Sequence, residues 1–96
     1  MKKFHVKDNE IIEEPWEEPS KYVETNVVTV RGYLFTFNEN MTKADFKVKW
    51  LEWANVRKDS FARKARKNPE VSKTRYYALL YEEIVHQIEA IEKLEV

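Results

Sequence analysis

The sequence predicts an α+β domain in which a short β-ribbon is followed by a long antiparallel helical hairpin, with an extended acidic arm at the N-terminus. Three observations support this prediction. Residues 8–24 are acidic and contain two prolines, residues 27–37 are β-branched and aromatic, and two amphipathic helical patterns fill the rest of the chain. We therefore divide the chain into an arm, residues 1–24, and a single ribbon-and-hairpin domain, residues 25–96.

The composition limits the classes of function open to this chain of 96 residues. It has no cysteine, which excludes disulfides, thiolate catalysis and cysteine metal ligands. The 17 Lys and Arg residues balance the 17 Asp and Glu residues, so attraction to a charged partner must arise locally. The chain has neither a long apolar run nor a signal-peptide pattern. We expect a cytoplasmic protein that does not enter a membrane and, because its core is small, forms a homodimer.

The N-terminal arm is distinguished by its charge. Residues 8–24 contain seven acidic residues and one basic residue, Lys21. Pro15 and Pro19 disfavour a helix, so we expect extended chain with a short strand at residues 4–7. The apolar residues of the arm can dock on this chain or on another protein. The candidate partner-binding residues are Ile11, Ile12, Glu13, Glu14, Trp16, Glu17 and Glu18.

The β-ribbon is predicted from residues 27–37, VVTVRGYLFTF, which are rich in residues that favour strands. Two arrangements are open: one continuous strand, or a tight hairpin in which Arg31 and Gly32 form the turn. Two strands alone are marginal in water. The ribbon must therefore pack on the helices, pair with the N-terminal segment, or pair with a second copy of the chain.

The first helix has a clear predicted start. Thr42 can cap its N-terminus, with Asp45 three residues later, and Met41 and Phe46 are placed as a hydrophobic staple. We expect this helix to span residues 43–67. Its predicted apolar side consists of Phe46, Trp50, Leu51, Trp53, Ala54, Phe61, Ala62 and Ala65.

An alternative for the same region is a break in the middle of the helix. Asp59 and Ser60 can cap a second, shorter helix. The continuous helix is preferred because the apolar spacing extends across this point.

The second helix is predicted to begin after a helix stop at Asn68. Asn68 can cap it, Pro69 suits the first helical position, and Glu70 complements the helix dipole, with Ser72 as a rival cap. Apolar residues at steps of three and four indicate a packing stripe or a coiled-coil seam. The stripe consists of Tyr77, Leu80, Tyr81, Ile84, Ile88, Ile91 and Leu94. Because both helices are long and their connection is short, we expect an antiparallel hairpin.

The strongest functional signal is the basic stretch of residues 57–75, where the two predicted helices meet. It contains eight of the 17 basic residues and two acidic ones. Such a cluster can neutralise phosphates, and an exposed Phe61 or Tyr76 can stack on a base. The competing interpretation is that these bases complement the helix dipole and solubilise the hairpin end. The candidate nucleic-acid-binding residues are Arg57, Lys58, Arg63, Lys64, Arg66, Lys67, Lys73 and Arg75.

Catalytic and metal-binding signals are weak. Only His5 and His86 can act as bases near neutral pH, and neither has a nucleophile at a recognisable spacing. Glu83 and His86 match one half of a carboxylate-bridged metal motif, which a single helix cannot complete. With Gly32 as the single glycine, the chain cannot form a glycine-rich phosphate loop. We expect no catalysis, no cofactor and no metal.

The sequence therefore favours a small non-catalytic regulatory protein that contacts nucleic acid through the basic stretch. The alternative is a protein-interaction or inhibitor module that uses the acidic arm and the hairpin surface to bind a protein with a basic surface. Pairing of the arm with the basic stretch of the same or a neighbouring copy is a third arrangement that the charges allow.

Overall fold

The computed structural model describes residues 2–15, 27–30, 33–37, 41–67 and 70–96. Within these ranges the chain forms four strands followed by two helices, which confirms the α+β class. The elements are β1 (Lys2–Lys7), β2 (Glu10–Pro15), β3 (Val27–Val30), β4 (Tyr33–Phe37), α1 (Lys43–Lys67) and α2 (Val71–Glu92).

The strands form one antiparallel sheet in the order β2-β1-β4-β3. β3 and β4 are separate strands with Val30 opposite Tyr33, so the ribbon is a hairpin and not one continuous strand. Arg31 and Gly32, the predicted turn, lie outside the described residues. On its other side β4 pairs with β1, where Phe4 lies opposite Thr36. The ribbon therefore pairs with the N-terminal segment, one of the three solutions that the sequence left open.

The first fourteen described residues belong to this sheet. The strand expected at residues 4–7 lies within β1, and β2, which was not expected, pairs with β1 along its whole length. Asp8 and Asn9 connect the two strands with φ of 53° and 61°. Two consecutive positive φ values are those of a type I′ hairpin turn, and Asp and Asn tolerate them better than most residues. Residues 16–24 of the predicted arm lie outside the described residues.

The α1 helix begins where the sequence predicts. The Thr42 hydroxyl accepts a hydrogen bond from the backbone N–H of Asp45 at 3.2 Å, and the Asp45 carboxylate accepts one from the N–H of Thr42 at 3.1 Å. This reciprocal pair is a capping box, and it satisfies two donors that the helix itself leaves open. Met41 and Phe46 are both buried, as expected of a hydrophobic staple. The break considered at Asp59 does not occur, because α1 continues to Lys67.

The α2 helix begins between the two starts that the sequence allowed. Its N-cap is Glu70, whose φ of −89° and ψ of 123° are extended, so Val71 is the first helical residue and Ser72 lies inside the helix. The proposed caps Asn68 and Ser72 are therefore not the N-cap, and no side chain forms a capping hydrogen bond. Asn68 and Pro69 lie outside the described residues.

The two helices form the predicted antiparallel hairpin, and the start of α1 is tied to the end of α2. The Lys47 ammonium group donates to the backbone carbonyls of Glu92 at 3.0 Å and Leu94 at 2.8 Å. Charge-assisted bonds of this kind also complement the negative end of the α2 dipole. The apolar stripe of α2 contributes Ile84, Ile88 and Ile91 to the core, so it packs within the chain.

The core lies where the sheet covers one half of the hairpin. The rings of Phe4 from β1 and Phe46 from α1 stack at 5.7 Å between centroids, with 21° between their planes. The complete set of described buried residues is Phe4, Ile11, Met41, Phe46, Trp50, Ala54, Ile84, Ile88 and Ile91. None of the described residues between 55 and 83 is buried. We call residues 43–54 and 84–92 the sheet-covered half of the hairpin, and residues 55–67 and 70–83 the closed half.

Candidate functional site

All eight basic residues singled out in the sequence are described, and all lie in the closed half of the hairpin. Six are on α1 between Arg57 and Lys67, which at 1.5 Å per residue spans about 15 Å of helix. Lys73 and Arg75 lie in the first turns of α2. The helical hairpin thus concentrates the bases at one end of the molecule, while the immediate surroundings of each side chain differ.

Three of these bases, Arg63, Arg66 and Lys67, form an exposed group on one side of α1. Their spacing of three and four residues places them on a common face. The Arg66 guanidinium donates from Nε to the backbone carbonyl of Ala62 at 3.3 Å. Within the part of the chain that the structure describes, none of the three has an ion-pair partner. We call Arg63, Arg66 and Lys67 the basic face.

A shallow open depression lies beside the basic face. It has a volume of about 350 Å³, and the described residues that line it include Arg63 and Arg66 together with Asp59 and Val56. Both arginines are exposed, so their charged groups are accessible from solvent. The depression therefore gives a planar or anionic group a place to lie against two guanidinium groups, with Asp59 as the one opposing charge among its described lining residues.

Two other bases of α1 lie over aromatic rings. The guanidinium carbon of Arg57 is 5.1 Å from the centroid of the Trp53 ring, and the Lys64 ammonium nitrogen is 5.4 Å from the centroid of the Tyr77 ring. Cation–π contacts of this kind stabilise the hairpin itself, and the second one joins α1 to α2. These two residues therefore have a structural role that the exposed basic face does not have.

The two bases of α2, Lys73 and Arg75, lie near the N-terminus of the helix, where the helix dipole disfavours positive charge. The N-terminus of a helix carries partial positive charge, and the first turn of α2 has no acidic residue. Lys73 lies 3.6 Å from Glu70, a pair that contributes little because both side chains are about 60% exposed. Arg75 is exposed and has no ion-pair partner among the described residues. The dipole explains the bases at the end of α1, but it does not explain Arg75.

The two aromatic residues expected near the basic stretch differ in exposure. Phe61 is partly buried and packs against the core cluster, which removes it as a stacking platform for a base. Tyr76 is 58% exposed, and its ring meets that of Tyr77 edge-on at 5.4 Å with 61° between the planes. Tyr76 is therefore an exposed aromatic residue beside the basic stretch, where it can stack on a base.

The residues proposed for partner binding by the arm separate into core and surface. Ile11 is 5% exposed and belongs to the core, so it is not available to a partner in the folded chain. Ile12 is partly buried opposite His5, whereas Glu13 and Glu14 are exposed. Trp16, Glu17 and Glu18 lie outside the described residues. Among the proposed partner-binding residues that the structure describes, the exposed acidic ones are Glu13 and Glu14 of β2.

Glu14 joins this acidic strand to β1. Its carboxylate oxygen is 3.5 Å from Nδ1 of His5 and 3.9 Å from the Lys3 ammonium nitrogen. Burial lowers the pKa of His5 below the ordinary histidine value of 6.5, with Glu14 acting in the opposite direction and Lys3 and Lys7 adding to the decrease. His5 is thus favoured in its neutral form at pH 7.

Neither a metal site nor a membrane span is found in the part of the chain that the structure describes. No three of its His, Asp and Glu side chains come together as candidate metal ligands. None of its helices combines the length and the apolar character needed to cross a bilayer. The chain matches no protein family, no curated protein and no solved structure. Its function must therefore be argued from its own residues.

Proposed function

We propose that this chain is a small non-catalytic regulatory protein that binds nucleic acid through the closed half of its helical hairpin. The observation that carries the proposal is the basic face, in which Arg63, Arg66 and Lys67 are exposed on one side of α1 without an ion-pair partner among the described residues. Lys58 and Lys64 flank this face on the same helix.

The helix dipole accounts for only part of the basic face. The dipole acts within the last turn of a helix, and the last turn of α1 contains Lys64, Arg66 and Lys67. Arg63 lies before that turn, yet it is exposed beside Arg66 and lines the same depression. An arginine in this position gains little from the dipole, whereas its five donors suit the oxygens of a phosphate group.

The charge distribution of the chain orients the proposed contact. Because the net charge is balanced, attraction to nucleic acid must come from a local excess of basic residues. The closed half carries eight Lys and Arg residues against four Asp and Glu residues, whereas the sheet-covered half carries three against four. A phosphate backbone would therefore be attracted more strongly to the closed half than to the opposite end of the hairpin.

The binding that this surface supports is governed by phosphate contacts. Each neutralised phosphate releases counterions, so the affinity falls steeply with salt and depends little on base sequence. The proposed role is thus to hold or cover a nucleic-acid backbone, with any sequence preference supplied elsewhere.

The test is a salt titration of binding to short duplex and single-stranded DNA and RNA. The wild type is compared with a triple variant, Arg63→Ala, Arg66→Ala and Lys67→Ala, and with a matched control, Lys43→Ala, Lys49→Ala and Lys93→Ala. The control removes the same charge from exposed positions at the other end of the hairpin. Loss of three phosphate contacts should reduce the slope of log affinity against log salt by about 2 to 3 for duplex DNA.

Three results would overturn the proposal. The first is the absence of wild-type binding at about 50 mM salt, where nonspecific electrostatic binding is strong. The second is an equal loss of binding in the two triple variants, because that result would reflect net charge and not the position of the basic face. The third is unchanged binding by the triple variant at the basic face. A triple variant that loses stability but binds like the wild type would show that these bases serve only the helix.

A further inference from the structure

A second surface of the hairpin lies on the side of α2 that faces away from the core. Tyr76 is 58% exposed and Leu79 is 59% exposed, and their spacing of three residues places them side by side on the helix. Arg75 precedes them, and Glu82 and Glu83 follow one turn later, all three exposed. We call these five residues the outer face of α2.

The inner side of α2 is already occupied. Ile84 and Ile88 are buried in the core, and Tyr77 lies under the ammonium group of Lys64 from α1. The Tyr76 ring also contacts the edge of the Tyr77 ring, which belongs to this inner side. Tyr76 and Leu79 therefore stand on a packed helix with their apolar surface in water, at a cost that burial against a partner would remove.

We propose that the outer face of α2 binds the same face of a second copy of this chain, with the two α2 helices antiparallel about a twofold axis near Leu79. A twofold interface requires a surface that is complementary to itself. The outer face of α2 meets this requirement through both its apolar centre and its charges.

The charge order along α2 selects the second copy as the partner. Lys73 and Arg75 come before Tyr76, whereas four acidic residues and no Lys or Arg follow Leu79 within α2. Reversal of the helix about Leu79 places the residue four before it opposite the residue four after it. Arg75 of one copy then faces Glu83 of the other, and symmetry forms this pair twice.

A parallel pairing of the two helices would place like charges opposite each other. The charge order therefore specifies direction and register, as charged rim residues do at other interfaces. The antiparallel dimer also supplies Arg75 with the carboxylate that it lacks among the described residues of its own chain.

The interface is small, and its strength should be correspondingly modest. Helices that pack at 8 to 10 Å allow Tyr76 and Leu79 of the two copies to interleave. Two apolar side chains per copy lie at the lower end of what supports association, so a dissociation constant on the order of micromolar is expected. The dimer should therefore form and dissociate within an accessible concentration range.

The dimer leaves the proposed phosphate contacts accessible. The basic face lies on α1, and the antiparallel arrangement points the two closed halves in opposite directions. The starts of the two α2 helices, each eight residues from Leu79, would be about 24 Å apart along the helix axis. The proposal does not depend on nucleic-acid binding, and it is tested without nucleic acid.

The first test is the molar mass in solution as a function of concentration, by sedimentation or light scattering. The wild type should change from monomer to dimer with concentration, and Leu79→Lys should raise the dissociation constant at least about tenfold by placing two like charges at the twofold axis. Val48→Lys is the matched control, because Val48 is an apolar residue of α1 that is 57% exposed and lies outside the proposed interface. A wild type that remains monomeric at about millimolar concentration, or a dimer that Leu79→Lys leaves unchanged, overturns the proposal.

The second test is a charge exchange that examines the register. Arg75→Glu alone and Glu83→Arg alone should each weaken the dimer about tenfold, and the double variant should restore it to within about threefold of the wild type. Arg75→Glu improves the match with the α2 dipole, so its loss of association cannot be attributed to a weaker helix. Failure of the double variant to restore the dimer would overturn the antiparallel arrangement.

Discussion

The two halves of the hairpin consist of the same two helices but differ in what surrounds them. In the sheet-covered half, Phe46, Trp50 and Ala54 of α1 and the three isoleucines of α2 are all buried. In the closed half, no described residue is buried, although Phe61 continues the apolar spacing of α1. The contrast shows that helical periodicity determines which side of α1 turns inward, whereas the sheet determines how far burial goes.

Because of this difference, the residues that stabilise the fold and the residues proposed to bind partners lie in different halves of the hairpin. Two helices alone cannot remove their facing side chains fully from water, and among the described residues the strands that contain Phe4 and Ile11 supply a third layer over one half of the hairpin. The exposed bases and the outer face of α2 are in the half that the sheet leaves open. Substitutions that alter the two proposed surfaces should therefore cost little stability.

The largest expected effect compares an aromatic residue from each half. Phe46→Ala should lower the free energy of unfolding by about 3 to 5 kcal/mol, because Phe46 is fully buried and stacks on Phe4. Phe61→Ala should cost only about 1 to 2 kcal/mol, since its ring is partly exposed. Urea unfolding followed by circular dichroism measures both losses.

Phe46→Leu provides a milder variant in case the alanine variant does not fold. It keeps most of the apolar volume and should fall between the wild type and Phe46→Ala. Equal losses for Phe46→Ala and Phe61→Ala would contradict the contrast, because they would show that the closed half is packed as firmly as the sheet-covered half.

A smaller effect is expected at the helix starts, which also differ between the halves. The α1 helix has a capping box at Thr42 and Asp45, whereas Glu70 at the start of α2 makes no side-chain capping bond. Thr42→Ala should therefore destabilise by about 1 kcal/mol, and Glu70→Asp should stabilise by about 0.5 to 1 kcal/mol, since the shorter side chain can accept from the N–H groups of the first turn of α2.

Thermal unfolding detects both changes, because about 1 kcal/mol moves the midpoint of a domain of this size by about 4 to 8 °C. Thr42→Ser keeps the hydroxyl and should unfold close to the wild type. An unchanged midpoint for Glu70→Asp would indicate that the first turn of α2 already has its donors satisfied, which would remove this difference between the halves.

Local sequence signals predicted the two helices well. Thr42 and Asp45 are three residues apart, and the hydrogen bonds they form depend on nothing outside that turn. The bounds of α1 follow from the same local rules. The sequence offered Asn68 and Ser72 as caps of α2, whereas the extended backbone of Glu70 makes Val71 the first helical residue.

The sheet was predicted less completely because its pairing is not local. A signal for the β1–β2 hairpin was present, since Asp8 and Asn9 suit a type I′ turn and Val6 and Ile11 lie symmetrically about it. The pairing of β1 with β4 joins residues more than thirty positions apart, for which the sequence contains no comparable rule.

In the candidate site, too, contacts within one helix follow from the sequence, whereas contacts between helices do not. The stacking of Arg57 on Trp53 follows from a spacing of four residues within one helix. The contact of Lys64 with Tyr77 depends on the register between two helices, which spacing alone does not give. The charge pattern of the sequence located the basic end of the hairpin, but only the structure shows that Arg57 and Lys64 lie over aromatic rings.

The smallest expected effect is a pH dependence of the free energy of unfolding that arises from His5 in β1. Burial holds the pKa of His5 below 6.5, so the unfolded chain binds more protons than the folded chain between the lowered pKa and 6.5. The contribution of His5 to stability is therefore fully present above about pH 6.5 and is lost as the pH falls through the lowered pKa. Urea unfolding at about pH 7.5 and about pH 5.5 measures this difference.

Two variants assign the pH dependence to His5. His5→Gln removes the titrating group and should reduce the loss of stability between the two pH values. Glu14→Gln should increase that loss, because the Glu14 carboxylate, 3.5 Å from the His5 ring nitrogen, raises the pKa of His5 against the effect of burial. If both variants lose as much stability on acidification as the wild type does, the pH dependence arises from groups other than His5. Burial in the β1–β2 hairpin would then not favour the neutral form of His5 over the protonated form.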